Sequence, residues 1–237
     1  MGSRNASFHE RGIAGALFAP LKLFFGALLL LLALILAAWI IDWVFVFQVW
    51  PDRIERLQSI LAEDLARAAQ IGYLHGESPH RAQRTANFLY ALLFDATGIH
   101  GMGTRFAEAA ALSIPDTIVR NAYIANFDVI QVAMIGTQLF GVRLAMLAMA
   151  IPLFALAYCA AVTDGLVQRA VRRASGGRES ASLYHRAKHL QVVLLVMSVA
   201  VALLIPASID PWFVWVTGVV GVAILSRMQW AYYKKHL

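Results

Sequence analysis

Charged residues divide this chain unevenly. Between Lys22 and Asp42 lies an uncharged run of 19 residues, Leu23 to Ile41. At about 1.5 Å per residue a helix of that length spans ~28 Å, close to the hydrocarbon thickness of a bilayer. Further uncharged runs are Leu144 to Thr163, Leu190 to Ile209 and Pro211 to Ser226. The last is short, so Trp230, Tyr232 and Tyr233 read as its interfacial end. Asp210-Pro211 reads as a tight turn, since the residue before a proline disfavours the helical region. The pattern predicts four transmembrane helices. A signal peptide is the competing reading for the first run, with Arg4, Arg11 and Lys22 before it. A signal core covers only about 7–15 residues and ends at small residues. Here the run continues into Trp39, Trp43, Phe45, Phe47 and Trp50, which reads as a retained helix with an aromatic belt.

Between the first two runs, residues 51–128 carry helical periodicity. Pro51 opens a segment with Ile54, Leu57, Leu61, Leu65 and Ala68 on one stripe, and Asp64 is assigned with the other charges mostly off it. Gly72 is expected to end that helix. Ser78-Pro79 reads as an N-cap and first turn, and Phe88, Leu89, Leu92, Leu93 and Ala96 as the apolar face that follows. Gly98, Gly101 and Gly103 are expected to break the chain, and Pro115-Asp116 to open a third helix through Ile118, Val119, Ala122 and Tyr123. At roughly 80 residues this segment can bury only a marginal core.

Charge gives these elements a direction. Lys and Arg number 20 against 14 acids, a net charge of +6. Three precede the first run, six lie between the second and third runs (Arg169, Arg172, Arg173, Arg178, Arg186, Lys188), and three follow the fourth (Arg227, Lys234, Lys235). None lies between the third and fourth. The positive-inside rule then places both termini inside, which an even number of spans requires. The expected architecture is an all-α, multi-pass protein of the bacterial inner membrane. Residues 1–22 form a cytoplasmic segment, 23–50 helix 1, and 51–128 a small helical periplasmic domain. Residues 129–163 hold an interfacial extension and helix 2, 164–189 a basic cytoplasmic hairpin, 190–209 helix 3, 210–226 helix 4, and 227–237 a tail. Whether 129–143 lie in the membrane, at its surface or as an outward extension of helix 2 stays open.

Composition agrees with this class. The 237 residues are 60% hydrophobic and 14% charged, against about 25% charged in soluble domains. Cys159 is the only cysteine, so no intramolecular disulfide and no cysteine-based zinc site can form.

Candidate chemistry is sparse. The chain holds no GxxxxGK[ST], HExxH, GxSxG or GxGxxG, and the reading is that it is not an enzyme and takes no cofactor. Asp42 and Arg143 are the charges nearest the outer ends of helices 1 and 2 at matching depth, which suggests an interhelical pair; snorkelling to head groups is the plainer alternative. His185 and His189 share a helix face but lack a third ligand, and His75, His80 and His100 show no ligand spacing. Ala157 with Ala161, Ser198 with Ala202 and Thr217 with Gly221 are four-residue pairs of the kind that lets helices approach. Pro152 and Pro206 are candidate kinks. The basic hairpin serves topology and anionic lipid first, and partner docking second. Nucleic acid is disfavoured because Tyr184 is the one aromatic available there for stacking.

The inner-loop run Asp164-Gly-Leu-Val-Gln-Arg, then Gly176-Gly-Arg-Glu-Ser, then Leu183-Tyr-His-Arg-Ala-Lys188 resembles a family of membrane proteins from integrating conjugative elements and conjugative plasmids, the DUF4400-type. The tryptophan-rich end of helix 1 with Trp50-Pro51 and the final helix pair look similar too. The resemblance implies a non-enzymatic inner-membrane accessory of conjugative DNA transfer. Its implied partners are the coupling-protein ATPase or other type IV secretion components. The residues that would carry such docking are Arg172, Arg173, Arg178, Glu179, Tyr184, His185, Arg186 and Lys188. A homo-oligomer stays open, and a small oligomeric transporter is the alternative. Against the latter, the spans show no inverted repeat and almost no buried charge.

Overall fold

A computed structural model describes the backbone of residues 3–74, 80–108, 114–176 and 181–233, and all regular structure in them is helical. Helix α1 (Ser3–Val44) widens into a π-helical turn at Phe45–Val49 and stops at Trp50, whose ψ of 130° is extended. A residue preceding proline prefers that conformation. Arg53, at φ +43°, sits in the left-handed region and turns the chain back into α2 (Arg53–Leu74). There follow α3 (Arg81–Tyr90), a second π-helical turn at Ala91–Asp95, α4 (Ile99–Glu108) and α5 (Ile114–Ala125). Helix α6 (Phe127–Ala174), α7 (Ala181–Leu204) and α8 (Pro211–Ala231) are the last three helices of the described residues.

Among the described residues, four helices are long and apolar enough to cross a membrane: Lys22–Val49, Phe127–Ala174, Ser182–Leu204 and Pro211–Ala231. The count matches the one expected from the uncharged runs, and it marks a membrane protein. Helix α6 organises the rest. Its 48 residues make a rod of about 72 Å, more than twice a hydrocarbon layer. Its second half lies parallel to α8: Met146 is beside Pro211 and Trp215, Phe154 beside Gly218, and Gly165 beside Arg227 and Ala231. Helix α7 runs antiparallel to both, with Ser198 against Gly218. Residues 129–143 therefore continue the second span as one helix that projects beyond the α7–α8 connection.

That projection is clothed by the segment that the sequence suggested as a separate small domain. Among the described residues, the buried apolar side chains of α2 and α3 fall in clusters that include α6. The two helices pack as a hairpin on α6 and share its core. Leu57 and Ile60 join Val46 of α1 and Val132 and Leu139 of α6. Ala68, Ile71, Ala82 and Ala86 join Val142, Met146, Ala150 and Trp215. Leu89 joins Ile35, Phe140 and Leu203. The approach of α3 is close: a Cβ on Gly141 would stand 2.6 Å from the Ala86 Cα, so only glycine admits the crossing.

Local expectations are amended in several places. Asp64 stands on the buried stripe of α2, four residues from both Ile60 and Ala68. Phe88 and Leu92 of the expected apolar face are exposed, while Leu89 is buried. Helix α2 runs past Gly72 to Leu74, and Gly101 and Gly103 lie inside α4, so Gly98, at φ +75°, makes the break alone. Ser78 and Pro79 lie outside the described residues. Helix α7 stops at Leu204 rather than Ile209, and Pro206 ends it instead of kinking it, because proline disfavours a helical residue before it. Pro152 stays within α6. Asp210 caps α8 by accepting from the Trp212 N–H at 3.0 Å, and α8 extends to Ala231.

Candidate functional site

Two polar assemblies stand at opposite ends of the α6–α7–α8 bundle. The first is buried. The Arg143 Nε donates to Asp64 Oδ2 at 2.8 Å, with side-chain exposures of 5% and 2%. Its two remaining nitrogens donate to the carbonyls of Ile205 at 2.5 Å and Ala207 at 2.9 Å. Those carbonyls lie just past the end of α7, where a helix leaves acceptors without intrahelical partners. Asp64 Oδ1 accepts from Ser208 Oγ at 2.5 Å, and Ser208 accepts in turn from Arg67. One arginine thus ties α2, α6 and the α7–α8 connection together. Burial of such a charge is tolerable because it is paired and each of its three nitrogens has a hydrogen-bond acceptor.

The ion-pair contact of Arg143 among the described residues is with Asp64, while Asp42 lies near enough for Arg143 to act on it electrostatically. Asp42 is buried against α6 at Gly136, where a Cβ would stand 2.7 Å from its Oδ2. Gly136 lies seven residues from Arg143, about 10 Å along the helix, so α2 rather than α1 brings the carboxylate to the arginine. Beside Asp42, Trp39 Nε1 donates to Thr137 Oγ1 at 3.0 Å and pins α1 to α6.

The second assembly joins α6, α7 and the end of α8. Arg172 donates to the Ala231 carbonyl at 3.0 Å, and its guanidinium lies 3.9 Å from the centre of the Tyr232 ring. The hydrogen bond satisfies a terminal acceptor of α8, and the stacking adds a cation–π attraction. Arg169 sits 5.2 Å from the Tyr233 ring, which also meets Tyr184 at 5.6 Å and Trp230 at 5.7 Å. Arg227 pairs with Asp164. Gly165 makes the close crossing, since a Cβ there would lie 2.7 Å from the Arg227 carbonyl.

This geometry sorts the predicted docking residues. Arg172 and Tyr184 are half-buried braces of the bundle end. Arg173, His185, Arg186 and Lys188 are exposed, with His185 edge-on to Tyr184 at 5.2 Å. Arg178 and Glu179 lie outside the described residues. The aromatic content at this end exceeds the single tyrosine counted from the loop, because α8 delivers Trp230, Tyr232 and Tyr233 to it. Those rings are half-buried and stacked within the fold. Among the described residues, no three His, Cys, Asp or Glu side chains gather as a metal site.

A family model described as IncC plasmid conjugative DNA transfer protein DtrJ-like matches residues 49–233. The chain belongs to the DtrJ-like family. The match covers both polar assemblies and every helix from α2 to α8, whereas α1 lies before it. Membership in the DtrJ-like family implies a role in conjugative DNA transfer, the coarse role that the resemblance of the inner-loop run pointed to. Searches among curated proteins and solved structures found no match.

Proposed function

We propose that this DtrJ-like protein is a non-enzymatic component of the inner membrane that docks the transfer machinery through the exposed cations at the α6–α7 end. The partner this reading favours is the coupling-protein ATPase or another type IV secretion component. The supporting observation is the division of labour at that end. Arg172 and Tyr184 brace the bundle, while Arg173, Arg186 and Lys188 are exposed beside them. Complementary charge on such a rim steers encounter and selects partners. In this reading the termini and the α6–α7 connection face the cytoplasm, following the distribution of Lys and Arg.

The test is a mating assay with Arg173→Glu, Arg186→Glu and Lys188→Glu combined. Transfer is expected to fall by at least about tenfold, the effect of ~1.4 kcal/mol of lost docking, at unchanged protein level in the membrane. Unchanged transfer contradicts the reading.

A further inference from the structure

A groove of about 690 Å³ runs between α3 and the middle of α6. Its α3 wall carries Arg81, Arg84 and Phe88, which share one helix face at steps of three and four residues. Its floor is Ala148, Met149 and Pro152, part of the uncharged stretch of α6. Among the described residues, none of those that line it is acidic. Arg84 makes no ion pair among the described residues, and Phe88 is 65% exposed, with Leu92 one turn further on at 54%. Two cations beside an apolar floor, continuous with exposed apolar side chains, are the recognition chemistry of an amphiphile with an anionic head. A helix that sets basic residues beside exposed aromatic and aliphatic ones is likewise suited to lie among lipids. The volume falls in the range of small-molecule sites, about 300–1,000 Å³.

We infer that this groove is a binding site for one anionic phospholipid, its phosphate held by Arg81 and Arg84 and an acyl chain laid against Met149 and Pro152. The site is separate from the docking surface and lies at the other end of the bundle. It would make the seating of the α2–α3 hairpin on α6 depend on lipid composition.

The test uses the full chain in bilayers of phosphatidylcholine with spin-labelled lipid. The wild type is expected to immobilise labelled phosphatidylglycerol in preference to labelled phosphatidylcholine. Arg81→Gln with Arg84→Gln is expected to reduce that preference by about fivefold per arginine. Ala148→Trp, which fills the floor and leaves both arginines, is expected to abolish the same fraction. A preference unchanged in both variants overturns the inference. Displacement of the labelled lipid by excess inorganic phosphate would assign the arginines to a free anion and overturn it as well.

Discussion

Arg143 of α6 and Asp64 of α2 form a buried ion pair at 2.8 Å, and the same guanidinium holds the carbonyls of Ile205 and Ala207. The contact couples a helix outside the predicted spans to the connection between the last two. Removing one partner leaves an uncompensated buried charge. Arg143→Met or Asp64→Leu alone is expected to destabilise the protein by about 3–5 kcal/mol, and the double variant to recover much of that loss. Thermal unfolding in detergent measures it. Exchange of the two charges is expected to fail, because an aspartate at 143 would face two carbonyl oxygens.

The same comparison weighs Asp42, which Arg143 reaches electrostatically without an ion-pair contact among the described residues. Asp42→Asn is expected to cost less than Asp64→Asn, since Asp42 makes no ion pair among the described residues. Equal losses in the two variants would show that Arg143 depends on both carboxylates.

Close crossings of α6 give a second set of expectations. Gly141→Val places atoms on the Ala86 backbone of α3, and overpacking of this kind costs about 1–3 kcal/mol. Gly26→Ala, with no atom within 4 Å of the added Cβ, is expected to stay within about 0.5 kcal/mol. Protease susceptibility of the α2–α3 hairpin should rise in the first variant and not in the second.

At the bundle end, Arg172→Ala and Tyr232→Ala remove two sides of one contact. A double-mutant cycle is expected to give a coupling of about 0.5–2 kcal/mol in detergent unfolding. Additive losses would reduce the stacking to mere proximity. Neither change is expected to lower mating beyond its effect on protein level, in contrast to Arg173 and Arg186.

The lone cysteine allows the orientation to be read directly. In a Cys159→Ser background, cysteines at Lys188 and at Asp116 are expected to react from opposite faces of the membrane with an impermeant maleimide. Position 188 should be protected in intact cells, and labelling of both positions from outside would contradict the proposed topology.

The spans were legible because lipid imposes a long uncharged run, which any four-span chain must display. The partner of Arg143 was harder to read. Depth matching along the chain selected Asp42, whereas the sharp turn at Arg53 folds α2 back and delivers Asp64 instead. One signal was present: Leu57, Ile60, Asp64, Ala68 and Ile71 recur at helical spacing, with a carboxylate in the middle of an apolar stripe. An acid in such a position needs a buried cation, and Arg143 is the one charged residue of α6 between Asp128 and Asp164. The loop arginines could not be sorted from sequence, because Arg172 and Arg173 are neighbours. Only the arrival of Tyr232 and the Ala231 carbonyl commits the first to the fold and leaves the second exposed.

The most direct test of docking places a photo-crosslinking amino acid at Arg186 in cells that carry the transfer machinery. The account predicts a discrete adduct with a transfer protein, lost when Arg173 and Lys188 are changed to glutamate at unchanged protein level. An adduct pattern without a transfer protein, or one that survives both reversals, would contradict it.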